Sequence, residues 1–381
     1  MSAAGDRSGL VERIRAEGGD DGLTFRRFME MCLYDPREGF YVGPLAEVGR
    51  EGHYLTSVAV SRLFGHILAQ QILEVWVRLD RPKPFWLIEQ GAHSGRLAAG
   101  VLVWCREFAP ALFGAARCVI IEPFGHWRDR QRATLSAAGL VEKLEHVASL
   151  EALAAAPVAG AFFCNELLDA FPVPRIRLVR GAWREMRVIW RGDRFDWAEG
   201  PIGAPGLAGM VARLPLPPID GYSTEVHEGL RPWLGAVSAA LAAGVVLAFD
   251  YGMPQEQYYD PARPDGTIRA YHRHRMSADV LALPGEQDIT AHVNWTELAG
   301  GAHGAGTDFL GIADQHHFAV GVLEEDLRRL DGVAGAPDLA AAFRTIAHPE
   351  GMGRQFAVAG FSKGMAADEP LAGFRFARFF D

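Results

Sequence analysis

The stretch Phe85-Trp86-Leu87-Ile88-Glu89-Gln90-Gly91-Ala92-His93-Ser94-Gly95 decides the fold. Its four leading residues are apolar without polar alternation, which is how a short strand covered on both faces reads. The run stops at an acid, turns between two glycines and passes into a helical pattern that continues through Leu112. The order of strand, glycine turn and helix recurs downstream. Cys118-Val119-Ile120-Ile121 ends in Glu122-Pro123 and leads into a helix carrying Trp127, Gln131 and Leu135. Gly160-Ala161-Phe162-Phe163-Cys164 ends in Asn165-Glu166, and Val245-Val246-Leu247-Ala248-Phe249 ends in Asp250-Tyr251-Gly252. Leu144 to Val147 supplies a further strand. The fold class is therefore α/β, a doubly wound and mostly parallel sheet. In such sheets ligands bind outside the carboxyl ends of the strands, so Glu89, Glu122, Asn165, Glu166 and Asp250 are expected to converge there.

Upstream, Leu10 to Ala16 is amphipathic, Thr24 is placed to cap a short helix beginning at Phe25, and apolar positions from Leu63 to Trp76 recur every three or four residues in a helix over 61–77. Two segments interrupt the strand–helix alternation. Pro172 to Trp197 alternates apolar and polar residues, with Arg180-Gly181 and Gly192-Asp193 at turn positions, and reads as an antiparallel meander. Met253 to His303 is irregular and rich in His, Arg and Pro. The expected organisation is an N-terminal helical lead-in (1–80), a core (81–170 and 224–252), an inserted β meander (171–223), an irregular cleft-covering insertion (253–305) and a C-terminal completion of the core (306–381).

At 381 residues the chain exceeds what one hydrophobic core usually supports, and 49% hydrophobic with 22% charged residues is an ordinary globular composition. A net charge of -9 argues against nucleic acid, whose affinity comes from Lys and Arg at phosphates, and favours a neutral or basic partner. Cys32, Cys105, Cys118 and Cys164 have no metal or redox spacing and read as reduced core residues. The first 22 residues lack the apolar core of a signal peptide and no apolar run is long enough to span a bilayer, so a cytoplasmic location is expected. No His pair has dependable zinc spacing with further ligands, and no metal is expected. The run from Arg269 to Arg275 reads most simply as a solvated basic loop.

Three constellations can carry chemistry. In the first, a Gly91–Gly95 turn brings backbone close to a ligand at a helix N-terminus, while Glu122, one βαβ unit later, suits a pair of ribose hydroxyls. Any tight strand-to-helix turn uses glycine, so it is Glu122 that points to a nucleoside cofactor. A dinucleotide would need GxGxxG against its pyrophosphate. Here His93 and Arg96 stand where the second and third glycines belong, which favours S-adenosylmethionine, a cofactor without phosphate. The second constellation is Asn165-Glu166-Leu167-Leu168-Asp169-Ala170-Phe171-Pro172. If a helical turn begins near Asn165, Glu166 and Asp169 share a face and can hold a guanidinium or take a proton from an attacking amine. Simple helix capping is the plainer alternative. The third is Asp288 to Asn294, where an extended chain would set Asp288, Thr290, His292 and Asn294 on one face, with His292 as a base. The same pattern also describes a solvent-facing edge strand.

These motifs resemble the MidA family, the methyltransferases related to the mitochondrial complex I assembly factor that dimethylates an arginine. The resemblance runs from about Phe25 to Lys363. Leu33-Tyr34-Asp35-Pro36, Gly39-Phe40-Tyr41, Thr56-Ser57, Asn165 to Pro172, Asp250-Tyr251-Gly252, Gly266-Thr267, Asp288 to Val293 and Met352-Gly353 carry it, in the family's order. It implies a Rossmann-like class I methyltransferase fold, S-adenosylmethionine as cofactor, and Gly91, Gly95, Glu122, Asn165 and Glu166 around that cofactor, where Glu89 and His93 of the same strand end and turn are further candidates. Glu166, Asp169 and His292 are the candidates for the chemistry, and Thr56, Ser57, Tyr251, Asp288 and Thr290 those for contact with the acceptor. Two positions depart from the family: His93 stands within a turn that is usually Gly-Pro-Gly-x-Gly, and the usual Thr-Ser-Pro-Glu is Thr56-Ser57-Val58-Ala59. The expected function is methyl transfer to a nitrogen, that of a protein arginine first. The alternatives are a small-molecule acceptor, or a non-catalytic assembly protein that keeps the fold. A homodimer is a further expectation.

Overall fold

The computed structural model describes residues 8–42, 62–272, 275–277, 279–329, 356–366 and 369–380. In chain order its elements begin with α1 (Ser8–Gly18), β1 (Leu23–Thr24) and α2 (Phe25–Tyr34). After α3 (Arg62–Arg78) come β2 (Phe85–Gln90), α4 (Arg96–Phe108), α5 (Pro110–Ala115), β3 (Ala116–Ile121), α6 (Gly125–Ala137), β4 (Leu144–Val147), α7 (Leu150–Ala154) and β5 (Val158–Asn165). The meander follows as β6 (Arg175–Val179), β7 (Ala182–Arg191) and β8 (Arg194–Gly200), then α8 (Pro205–Val211) and β9 (Ser223–Glu225). Next are α9 (Leu230–Ala240), β10 (Leu241–Met253), α10 (Gln255–Tyr258), β11 (Arg269–His272), β12 (Arg275–Ser277), β13 (Asp288–Thr290) and β14 (Val293–Asn294). The chain closes with α11 (Trp295–Ala299), β15 (Asp308–Asp314), α12 (Gln315–Arg329) and β16 (Phe356–Lys363).

Two compact units divide these elements. One takes Leu55–Leu167, Arg231–Gly252 and Trp295–Asp381. Its sheet runs β15-β16-β10-β5-β2-β3-β4. The pairings β10·β5, β5·β2, β2·β3 and β3·β4 are parallel, whereas β16 is antiparallel to both β10 and β15. The four apolar runs read as strands are β2, β3, β5 and β10, and 144–147 is β4, so the doubly wound sheet is as the sequence predicts. The chain leaves β2 toward β3 and β4 and returns to β5 on the other side, which puts the topological switch, and with it the ligand crevice, at the carboxyl ends of β2 and β5. One core cluster joins the α3 residues Leu63, Phe64, Ile67, Leu68 and Ile72 to Leu97, Val101 and Leu102 of α4 and Phe85, Leu87, Phe163 and Phe249 of the sheet. Each such side chain contributes roughly 1.5–3 kcal/mol on burial. Gly65 permits the close crossing of α3 and α4, because a Cβ there would lie 3.1 Å from the Gly100 carbonyl carbon.

The other unit takes Met1–Tyr54, Leu168–Leu230 and Met253–Asn294. Its main sheet runs β1-β7-β6-β9, with β8 paired to β7. The meander turns where the sequence places them, with Arg180, Gly181 and Gly192 at positive φ. Such turns match the right-handed twist of the flanking strands. Thr24 caps α2 by accepting from the Arg27 N–H. Phe25 of that helix packs on Trp197, and Phe28 on Phe195. A second small sheet runs β12-β11-β13. These boundaries differ from the sequence division. The stretch 1–80 is not one lead-in: β1 pairs with Arg187 and Val188 of β7, which draws α1 and α2 to the meander, while the apolar row of α3 belongs to the core of the parallel sheet. The meander and the irregular segment up to Asn294 share a unit.

Candidate functional site

At the carboxyl end of β2 three residues of the turn, Gly91, His93 and Gly95, have φ values of 75°, 46° and 77°. The left-handed region is open to glycine and costs other residues roughly 1–2 kcal/mol. The Gly95 N–H closes the turn on the Ala92 carbonyl at 2.8 Å. Gly95 has no side chain to cap α4, and Glu89 supplies one from the strand: its Oε2 accepts from the Ala98 N–H at 3.1 Å. Burial pushes the Glu89 carboxyl up to about 8. It is therefore largely protonated at neutral pH, a neutral support beneath the turn. The His93 ring is half-buried and lies 4.3 Å, centroid to centroid, from the indole of Trp127 on α6.

Glu122 stands just past β3, almost wholly buried. Its Oε1 accepts from the Phe124 N–H at 3.1 Å and its Oε2 from the Gln131 amide, also at 3.1 Å. A carboxylate has lone pairs for about four donors, so its chemistry suits a vicinal diol. At the end of β5 the Asn165 amide donates to Glu166 Oε1 at 3.3 Å, while Asn165 Oδ1 is buried without a hydrogen-bond partner. Glu166 has φ 50° and its N–H donates to the Phe249 carbonyl on β10 at 2.9 Å. The next N–H, of Leu167, donates to Asp250 Oδ2 at 3.1 Å, and Asp250 Oδ1 accepts from the Tyr251 N–H at 2.8 Å. Asp250 is thus a fully buried clamp on the 165–167 loop. The Tyr251 ring packs 4.0 Å from Phe356.

The expected helical turn at Asn165 is not formed. Asn165 ends β5, and the left-handed Glu166 together with the bonds to Phe249 and Asp250 carries the chain onward as a loop, so Glu166 and Asp169 do not share a helix face. The single polar row over 288–294 is also absent. β13 stops at Thr290, because the Ala291 N–H is drawn to the Asp169 carbonyl and the His292 N–H to Thr267 Oγ1. Neither is the segment a solvated edge: Asp288 is buried and accepts from the Tyr41 hydroxyl at 2.6 Å, and Asn294 is buried too.

Asp169, Asp288, Thr290 and His292 belong to the unit of the meander. There the His292 carbonyl accepts from His227 Nε2 at 2.6 Å, and burial, then Arg263 and Arg269, depress the His292 imidazole to about 4. Such a ring is neutral at pH 7 and a weak proton acceptor. Glu89, Gly91, His93, Gly95, Glu122, Asn165, Glu166 and Tyr251 belong to the parallel-sheet unit. Thr56 and Ser57 lie outside the described residues. Gln131 was not among the candidates. Its signal is a glutamine on the buried face of a helix, at four-residue spacing from both Trp127 and Leu135.

The chain is similar to several known proteins. Residues 67–313 match the family described as S-adenosyl-L-methionine-dependent methyltransferase. A crystal structure of a protein from Burkholderia thailandensis bound to S-adenosyl-homocysteine superposes with a TM-score of 0.85 at 30% identity, covering 97% of this chain and 95% of that one. The mitochondrial protein arginine methyltransferase NDUFAF7 of Mus musculus is 24% identical over 382 residues, 91% of this chain and 82% of the relative. Its Drosophila melanogaster homolog is 26% identical over 306 residues, 75% of this chain and 68% of the relative.

Proposed function

We infer the acceptor from one premise: this chain belongs to the S-adenosyl-L-methionine-dependent methyltransferases. It is an enzyme and S-adenosylmethionine is its cofactor. Bound S-adenosylmethionine supplies an electrophilic methyl carbon on a sulfonium sulfur and leaves as S-adenosyl-homocysteine. The residues at the strand ends fit that group. The turn from Gly91 to Gly95 offers backbone without a phosphate cradle, Glu122 offers a buried carboxylate, and Asn165 Oδ1 is a buried acceptor in need of a donor. We assign the turn to the methionine end of the cofactor, Glu122 to its ribose hydroxyls and Asn165 to one of its N–H groups.

The acceptor we propose is an arginine side chain of a protein. Relatives named as protein arginine methyltransferases support it, as does the acidic balance of the chain. The observation that carries it is Glu166, a non-glycine residue in left-handed backbone fixed by its neighbours at the end of a central strand. Strain of that kind persists where the surroundings hold it, and it concentrates at working sites. Glu166 orients a guanidinium nitrogen and takes the proton that nitrogen loses as its bond to the methyl carbon forms. Tyr251 is assigned to the same acceptor.

The test is incubation with methyl-labelled S-adenosylmethionine and a cell lysate, followed by acid hydrolysis of the protein fraction. Label recovered in methylarginine is expected; label confined to small molecules would overturn the arginine acceptor and leave the methyltransferase reading intact. Glu166→Gln is expected to lower kcat by roughly 10²-fold or more while binding S-adenosyl-homocysteine as the wild type does.

A further inference from the structure

Gln131 has a determined role for every polar atom of its side chain. Its Nε2 lies 3.0 Å from the His93 carbonyl and 3.1 Å from Glu122 Oε2. Both are acceptors, so the two amide hydrogens are divided between them. Its Oε1 lies 2.9 Å from His146 Nε2 on β4, and since Oε1 can only accept, that imidazole must carry its proton on Nε2. The other ring nitrogen, His146 Nδ1, is buried without a partner, which suits a bare lone pair and not an N–H. Burial, with Arg132 and Arg128 adding to it, lowers the His146 pKa and keeps the ring neutral. The chain His146, Gln131, then Glu122 and the His93 carbonyl therefore has one consistent set of donors. It ties β4 and α6 to the two places assigned above to the cofactor. Arg128, one turn earlier on α6, donates to the Glu122 carbonyl at 2.6 Å, so both the backbone and the side chain of Glu122 are held from one helix. Gln131 is itself fully buried.

We propose that Gln131 is a positioning residue for cofactor binding, aiming the Glu122 carboxylate and fixing the carbonyl of the glycine turn, with His146 locking the orientation of its amide. The proposal rests on the assignment of Glu122 and the turn to S-adenosylmethionine. Replacing the amide by an apolar isostere removes the donor that Glu122 and the His93 carbonyl share, while Phe124 and Arg128 still hold Glu122. Gln131→Met is therefore expected to weaken binding of S-adenosyl-homocysteine, measured by titration calorimetry, on the order of tenfold to a hundredfold. The KM for S-adenosylmethionine should rise with it, and the KM for the methyl acceptor should not.

A glutamine that merely fills the interior would lower the thermal midpoint and leave the affinity of the folded protein unchanged; that result overturns the proposal. A second variant, His146→Phe, leaves Gln131 intact and removes only its lock. It is expected to weaken S-adenosyl-homocysteine binding less than Gln131→Met does, and unaltered affinity in folded His146→Phe would overturn the locking role. In the protein without cofactor, ¹⁵N histidine spectra should assign His146 to the neutral Nε2–H tautomer, the signal being identified by its loss in His146→Phe; an Nδ1–H tautomer contradicts the proposed donor order. Wild-type protein that binds no S-adenosyl-homocysteine would instead defeat the assignment on which the proposal rests.

Discussion

Two buried ionisable side chains give the molecule opposite responses to pH. Glu89 is raised by burial from an ordinary 4.5 to about 8. Between those values the unfolded chain has lost the proton that the folded chain keeps. Its contribution to stability is complete below pH 4.5 and is lost as pH rises through about 8. Glu89→Gln removes the titration, so urea midpoints of variant and wild type should diverge in the variant's favour as pH rises across that window. His227 is lowered from 6.5 to about 4, by burial first, and stays neutral when folded. Its contribution is complete above pH 6.5 and is lost as pH falls through about 4. His227→Leu should abolish that acid-side slope. It should also cost roughly 1–3 kcal/mol at neutral pH, because the His292 carbonyl loses its donor; equilibrium urea unfolding measures both. At this scale Glu122 and Asn165 were legible because each ends an apolar run. Gln131 was not, because a lone polar residue on a helix face acquires its meaning only from Glu122, His93 and His146, which come from three other parts of the chain.

Strands depend on what their neighbours leave room for. Gly244 on β10 is paired with Gly160 on β5, and β2 lies on the other side of β5 with Trp86 opposite Gly160. A Cβ at Gly244 would collide with the Gly160 carbonyl, and one at Gly160 with the Trp86 carbonyl. With φ 145°, Gly244 also occupies backbone that side chains rarely adopt. Gly244→Val is expected to destabilise the protein by at least about 3 kcal/mol, read as loss of soluble yield or a lowered urea midpoint. The elements most readable in the sequence were β2, β3, β5 and β10, whose short apolar runs each stop at a polar residue and alternate with helical stretches. Asn165 to Phe171 has more than one reading in the sequence because Asn, Glu and Asp suit a helix cap and a strand end equally well. Phe249 and Asp250, more than eighty positions away, decide between them. The segment 288–294 broke for the same kind of reason, its period interrupted by the Asp169 carbonyl and the Thr267 hydroxyl.

Each of the two units gathers three separated stretches of chain. That organisation was the least legible feature. β1 is two residues long and carries no period, yet its pairing with β7 recruits the N-terminal helices. The sheet of the other unit has its own long-range debt, since β16, at Phe356–Lys363, lies between β10 and β15. A chain ending at Arg329 would leave the facing edges of both strands unpaired, including the apolar row Val245 to Phe249. Exposed edges of that kind template association, so the truncated protein is expected to aggregate, as size-exclusion chromatography of the soluble fraction would reveal. The same arrangement sets a schedule for biosynthesis. The strand that seals the sheet is synthesised after both of its partners, β10 and β15, and until it emerges the nascent chain presents an adhesive border to whatever surrounds it. The period during which this chain needs shielding is thus written into the order of its strands.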